Sequence, residues 1–171
     1  MPSAHCRRIG SDARALGYNA SLMRVAIGAD HAGYDLKREL AKRLAEDGHE
    51  ALDVGAHALN PEDDYADFAI AVGESVRSGE AERGIAVCGT GVGSSVAANK
   101  LKGIRASVCH DTYSARQGVE HDNINVLCLG GRIVEVSLAA ELVRAFLGAR
   151  YDGGPRFARR LDKVFAAERR G

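Results

Sequence analysis

Tryptophan is absent from the 171 residues, and five tyrosines and four phenylalanines are the only benzenoid rings. So few aromatics argue against a surface that stacks on exposed nucleobases. No single sign of charge is in excess, since Lys+Arg and Asp+Glu both number 23. The balance gives no pull toward nucleic acid or an anionic membrane surface. No apolar run is long enough to cross a bilayer. The four cysteines, Cys6, Cys88, Cys109 and Cys128, have neither CxxC pairing nor zinc-like spacing, and no metal is expected. Cys109 and Cys128 sit inside apolar runs and read as small core residues. Reduced thiols of this kind fit a cytoplasmic protein.

What is present is a 46% apolar composition, enough to bury the core of one ordinary domain. Residues 1–22 show no sustained period and lack the continuous apolar stretch of a secretory signal. They are expected to be a flexible leader or to precede the true start, with a targeting role as a further reading. His5 and Cys6 are discounted with them. The domain is expected over 23–171.

From Met23 onward strands and helices alternate. Strands are expected at Arg24–Ala29, Glu50–Val54, Gly84–Val87, Ile104–Cys109 and Val126–Leu129. Helices are expected at Gly33–Asp47, Tyr65–Arg77, after Gly93, and at Thr112–Glu120, Val134–Leu147 and Arg156–Arg169. Leu36, Leu40 and Leu44 share one face of the first helix, with Glu39 and Arg43 pairing on another. Glu62, Asp63 and Asp64 read as solvated loop acids. Such βαβ units imply a five-stranded parallel sheet with helices on both faces, an α/β three-layer αβα sandwich. Its ligands bind beyond the carboxyl ends of the strands. Asp30 and His31 follow the first strand there, and Cys88 follows the third.

The densest motif is Cys88-Gly89-Thr90-Gly91-Val92-Gly93-Ser94-Ser95. Three glycines in five residues let main-chain N–H groups approach a ligand closely. Ser94 and Ser95 can cap a helix running through Ala97, Ala98 and Lys100. A thiol at Cys88 meets oriented amides and a helix start, both of which favour its anion. A free thiol near pKa about 8.5 is only a few per cent ionised at neutral pH, so that help matters. The third glycine of a dinucleotide fingerprint is missing, and so is the Gly-Lys-Ser/Thr ending of a triphosphate loop. Neither NAD nor ATP is favoured, and no cofactor is expected. A smaller anion or a reaction oxyanion suits the loop better.

Gly28-Ala-Asp-His-Ala-Gly33, the Cys88–Lys100 stretch, Gly103-Ile-Arg-Ala106, Glu120-His-Asp-Asn-Ile-Asn-Val-Leu127 and Tyr151-Asp-Gly-Gly154 occur in the order seen in type B ribose-5-phosphate isomerases. From Met23 to about Glu168 the chain resembles that family, which also holds galactose-6-phosphate isomerases. The resemblance implies a Rossmann-like fold and metal-free interconversion of aldose and ketose phosphates in the pentose phosphate pathway. By it Cys88 is the base, and Thr90 with the Gly89, Gly91, Val92 and Gly93 amides steadies the enediolate. His121 opens the sugar ring. Asp30 and His31 hold sugar and phosphate oxygens, and Arg132, Arg156 and Arg160 bind phosphate. Asp122 stands where the family often has Asn, and Phe157 where it often has His. Pro155 reads as an insertion. No acid lies near Val92–Ser94, which favours the branch that uses cysteine.

His121 follows a helix and precedes the fifth strand, which puts it at the amino-end rim, opposite Cys88. A shared site is therefore expected, with His121 reaching the thiol of a second copy in a homodimer or a dimer of dimers. Plainer readings stand beside each role. Cys88 can be a buried strand-end residue, Asp30 a helix cap and His31 a solvated loop residue. His121 can answer a helix C-terminal dipole, and Arg156 and Arg160 can be a solvated basic face. The leading reading is ribose/ribulose 5-phosphate isomerisation. The same chemistry on an erythrulose, allose or galactose phosphate and a non-catalytic sugar-phosphate sensor are the alternatives.

Overall fold

Every second residue of three apolar segments turns to the same side, and the two faces they create differ in bulk. The computed structural model describes residues 22–170. β1 is Arg24–Ala29, β2 Glu50–Asp53, β3 Arg83–Cys88, β4 Ala106–Val108 and β5 Val126–Gly130. They form one parallel sheet in the order β2-β1-β3-β5-β4. On one face Val25, Ile27, Ile85, Val87, Leu127 and Leu129 join a large core. On the other, Ala26, Ala86, Val126 and Cys128 are mostly smaller.

The bulky face is covered by α1 (Tyr34–Glu46), α4 (Thr112–Asp122) and α5 (Val136–Gly148), whose buried side chains fill that core. The smaller face takes α2 (Tyr65–Arg77) and α3 (Val92–Ala98). Small strand residues let α2 come close. A methyl added at Gly84 would stand 2.5 Å from Val72 Cγ1. Burial on both faces explains why β1, β3 and β5 read as nearly unbroken apolar runs. The expected αβα sandwich is therefore present. None of the described helices is long and apolar enough to cross a membrane.

α6 (Pro155–Glu168) packs against α4. It buries only Leu161 fully and leaves Val164 more than half exposed. Cys109 and Cys128 lie in the core, where burial raises both thiols above their ordinary range. The expected leader lies outside the described residues, apart from Leu22.

Several boundaries differ from the pattern read in the sequence. α3 starts at Val92 behind Gly91, whose φ of 82° makes it the N-cap, so neither serine caps the helix. Ser94 is buried, and Ser95 Oγ donates to the Ala106 carbonyl. Lys100 lies beyond the helix. β4 is shortened because Asn125 takes over the Arg105 main chain on both sides, through its own N–H and its Oδ1. α5 begins two residues later than expected because Ile133 and Val134 donate to the Gly130 carbonyl in a turn. Glu39 pairs with Lys42 at 2.6 Å rather than with Arg43.

Candidate active site

Cys88 is the last residue of β3 and is 4% exposed. The chain then turns sharply enough for the Gly91 N–H to point back and donate to Cys88 Sγ at 3.2 Å. Gly91 can do this because its φ is in the left-handed region, where a side chain is strained. Thr90 Oγ1 accepts from the Val92 N–H at 3.3 Å and braces the same turn. The Tyr65 ring lies directly over Gly93, where an added methyl would meet ring carbons at 2.7 Å.

The turns after β1 and β5 close on this loop. Gly131 N–H donates to the Cys88 carbonyl, and Arg132 N–H to that of Gly89. A methyl at Gly131 would stand 2.5 Å from the Ala32 carbonyl oxygen, so main chain meets main chain there. The Arg132 guanidinium and the Ala32 side chain both flank Gly89, within 4 Å of where a Cβ would sit. On its other side Arg132 borders an open hollow of about 250 Å³ that also exposes Asp35, Glu39 and Glu135. Three carboxylates suit that hollow poorly to an anion. Away from the hollow, the Arg132 guanidinium lies beside Gly89 and near His31.

Asp30 is buried, and its Oδ1 accepts from the Ala32 and Gly33 N–H groups. It thereby shapes the turn ahead of α1, whose N-cap is Gly33, a residue with no side chain to offer the helix. Next to it, His31 Nδ1 lies 2.8 Å from Asp63 Oδ1, and the His31 main-chain N–H donates to that same oxygen at 2.8 Å. The hydrogen bond that the His31 ring donates to Asp63 raises its pKa above 6.5. Asp30 pushes it in the same direction, while desolvation and the Arg132 charge oppose the rise. Asp63 is thus not a solvated acid: its side chain is 9% exposed.

The loop that supplies Asp63 is anchored from beneath. Lys37, 1% exposed, sends Nζ to both Asp53 oxygens at 2.8 Å and to the Ala56 carbonyl at 2.7 Å. Ala29 and the Gly55–Ala56 main chain exchange two further bonds.

The remaining expected residues lie elsewhere. α4 runs two residues further than its pattern suggested, so His121 and Asp122 occupy its last turn. Gln117 Nε2 lies 2.6 Å from His121 Nδ1, and the Phe157 ring stacks on the imidazole at 4.2 Å. Arg156 and Arg160 are exposed on α6 beside Phe157. Three residues after Asp122, the main chain of Asn125 meets β3 and β4 at their amino ends. The length of β5, roughly 13 Å at strand rise, separates that rim from Cys88. Within one chain the structure therefore forms two sets. Cys88, Gly89, Thr90, Gly91, Val92, Gly93, Asp30, His31 and Arg132 gather at the carboxyl edge, and His121, Asp122, Arg156 and Arg160 at the opposite end.

Tyr65 and Gln117 were not anticipated at the site, Asp63 was read only as a solvated loop acid, and Phe157 only as a departure from the family pattern. Gln117 was findable, because residues four apart on a helix meet. Asp63 and Phe157 reach their partners across 32 and 36 positions of sequence, which no local pattern marks.

Ligands of parallel α/β sheets sit beyond the carboxyl ends of the strands, the edge at which the turns after β1, β3 and β5 meet here. Fold and site together define a doubly wound α/β protein with a glycine turn and a flanking guanidinium at the edge where such folds hold small ligands. The chain belongs to the ribose/galactose isomerase family, whose profile matches residues 25–164. It is 44% identical to ribose-5-phosphate isomerase B of Escherichia coli over 149 residues, 87% of this chain and 99% of that one. It is 40% identical to D-erythrulose-4-phosphate isomerase 2 of Mycolicibacterium smegmatis over 148 residues, 85% of this chain and 97% of the other. Among solved structures, ribose-5-phosphate isomerase B of Clostridium thermocellum superposes with a TM-score of 0.83 at 48% identity, covering 86% of this chain and 99% of that one.

Proposed function

We propose that this chain interconverts ribose 5-phosphate and ribulose 5-phosphate through a cis-enediolate. The observation that carries the reading is the Gly91 N–H aimed at Cys88 Sγ, at the sheet edge beyond which parallel α/β folds bind their ligands. The Cys88 thiolate removes the proton from the carbon beside the carbonyl and returns it to the neighbouring carbon. A main-chain donor at the sulfur stabilises its negative charge and needs no reorganisation during the reaction. Thr90 and the Gly89–Gly93 amides stabilise the enediolate oxygens. Arg132 and His31 grip the phosphate, which does not react and serves to hold the carbons in place. Asp30 keeps the His31 turn in shape.

The working unit is a homodimer, alone or doubled, in the cytoplasm, and needs no metal. The partner subunit's His121 opens the sugar ring at Cys88 of the first copy. The Gln117 amide holds Nδ1, which leaves Nε2 as the nitrogen that exchanges protons: it takes the anomeric hydroxyl hydrogen and returns it to the ring oxygen as the ring C–O bond breaks. Asp122, Arg156 and Arg160 travel with it and complete the sugar and phosphate contacts. Two features favour a second copy over solvent at the thiol edge. Val92 and Val96, one turn apart on α3, are 57% and 56% exposed, and Tyr65 and Ile70 on α2 are also exposed. The thinly packed α6 presents a further face.

The likeness to an erythrulose-phosphate isomerase favours a second substrate reading, a four-carbon sugar phosphate. A panel of four-, five- and six-carbon sugar phosphates, assayed with wild type and Cys88→Ser, decides between them. The expected result is highest kcat/KM on ribose 5-phosphate, and a loss of about 10²–10⁴-fold in kcat for Cys88→Ser. Binding of all the sugars by wild type without turnover would leave a sensor instead.

A further inference from the structure

Asp63 was outside every motif, yet it makes the two most specific contacts on His31. One carboxylate oxygen, Oδ1, takes both the main-chain N–H and the ring Nδ1 at 2.8 Å. A carboxylate can only accept, so Nδ1 must carry the hydrogen. The other oxygen, Oδ2, is buried and has no hydrogen-bond partner among the described residues. A carboxylate that is nine-tenths covered and half-satisfied needs a counter-ion to remain charged. The facing charges are Asp30 in the His31 turn, Asp63 from the loop before α2, and Arg132 from the turn after β5. Arg132 already accounts for one cation, and by itself would discourage a second one beside it. The loop cannot easily yield, since Lys37 holds it at Ala56 and Asn60 holds it through the Asp63 and Glu62 N–H groups.

We propose that Asp63 is a positioning residue. It locks the His31 ring as an Nδ1–H donor and keeps it an imidazolium, so that Nε2–H is offered to the phosphate next to Arg132. The inference rests on the phosphate pole assigned to His31 and Arg132 above. Without the carboxylate, a neutral His31 held in the same tautomer would present a lone pair at Nε2, which repels a phosphate oxygen. The acid thus acts against its own sign: a negative charge beside an anion site strengthens that site by charging the group between them.

Asp63→Asn tests this, because the amide oxygen can still accept both N–H bonds while the charge is gone. Simple electrostatics predicts tighter anion binding once a negative charge is removed. The proposal predicts the reverse, a KM for the sugar phosphate and a dissociation constant for inorganic phosphate both raised about five- to tenfold near pH 7.5, with kcat changed much less. His31→Gln should weaken phosphate similarly, and adding Asp63→Asn to it should weaken it no further. The spectroscopic signature is the imidazole nitrogen shifts of His31 in the full-length protein. The wild type should show a charged ring at neutral pH, and Asp63→Asn a neutral Nδ1–H ring that titrates at lower pH. Unchanged or tighter phosphate binding in Asp63→Asn, or a wild-type His31 that is neutral or carries its hydrogen on Nε2, overturns the proposal. The NMR titration and the phosphate measurements need no turnover. Normal results there in a protein that isomerises nothing would overturn the assigned reaction and leave the Asp63 role standing.

Discussion

A lysine buried to 1% exposure is costly unless its charge is answered, and Lys37 has three acceptors for its three hydrogens. Two come from Asp53 at the end of β2 and one from Ala56 in the loop beyond. Lys37 therefore joins the first turn of α1 to the loop that brings Asp63 to His31. Lys37→Met keeps most of the apolar stem and removes the cation, leaving the Ala56 carbonyl and Asp53 without it. Asp53 is 39% exposed on its side chain and can partly rehydrate. The expected loss is about 2–3 kcal/mol in urea unfolding, short of the roughly 3–5 kcal/mol for breaking a fully buried pair. Phosphate affinity should fall as well, since the same loop carries Asp63. A loss of stability with unchanged phosphate affinity would show that the loop keeps its shape without Lys37.

Among the elements, the turn between β3 and α3 is the one whose geometry admits fewest substitutions. Gly91 combines φ of 82° with a site where a methyl would lie 3.1 Å from the Leu129 carbonyl carbon and 3.3 Å from the Gly130 nitrogen. Gly91→Ala must strain its main chain or push the β3 loop off β5, and either turns the N–H away from Cys88 Sγ. The expected outcome is a loss of about 1–3 kcal/mol in stability, with kcat lowered at least tenfold, as for removal of a main-chain donor to a developing charge. Thermal unfolding and steady-state kinetics on one preparation separate the two effects. Retained kcat would mean that the amide at the sulfur contributes nothing to the chemistry. The elements themselves were largely legible in advance. β1 and α2 have the boundaries their patterns suggest, because apolar spacing of two or of three and four is a local property. The start of α3 was misread because serine is the better N-cap in general, whereas here the turn needs a left-handed residue first.

Across the whole molecule, the separation of His121 from Cys88 is the fact with the largest consequence. Parallel strands force each helix to return to the amino end before the next strand begins, so the end of α4 and the end of β3 lie on opposite rims. If the reaction needs both residues, only a second copy can bring them together. Cys88→Ala and His121→Ala should each be nearly inactive alone. Mixed in equal amounts and allowed to exchange subunits, they should recover about a quarter of the wild-type activity, because half the dimers are mixed and each mixed dimer holds one intact site. Exchange confirmed by mass with no recovered activity would place both residues in separate roles. The stacking of Phe157 on His121 belongs to this scale too, since it ties α6, with Arg156 and Arg160, to the ring proposed to reach a second copy.

The linear order of residues alone settled the alternation of strand and helix, the parallel sheet, the glycine turn after Cys88 and the opposite placement of His121. Each follows from spacing within a few positions or from the rule that βαβ units return to the same edge. Only the folded chain decided that Asp63 answers His31, that Glu39 meets Lys42, that Gly91 and not a serine begins α3, and that Phe157 covers His121. Those pairings depend on which surfaces are brought together and how much water is left between them. For Asp63 and Phe157 the partners are more than thirty residues apart, and their side chains carry no mark of it until the core has closed.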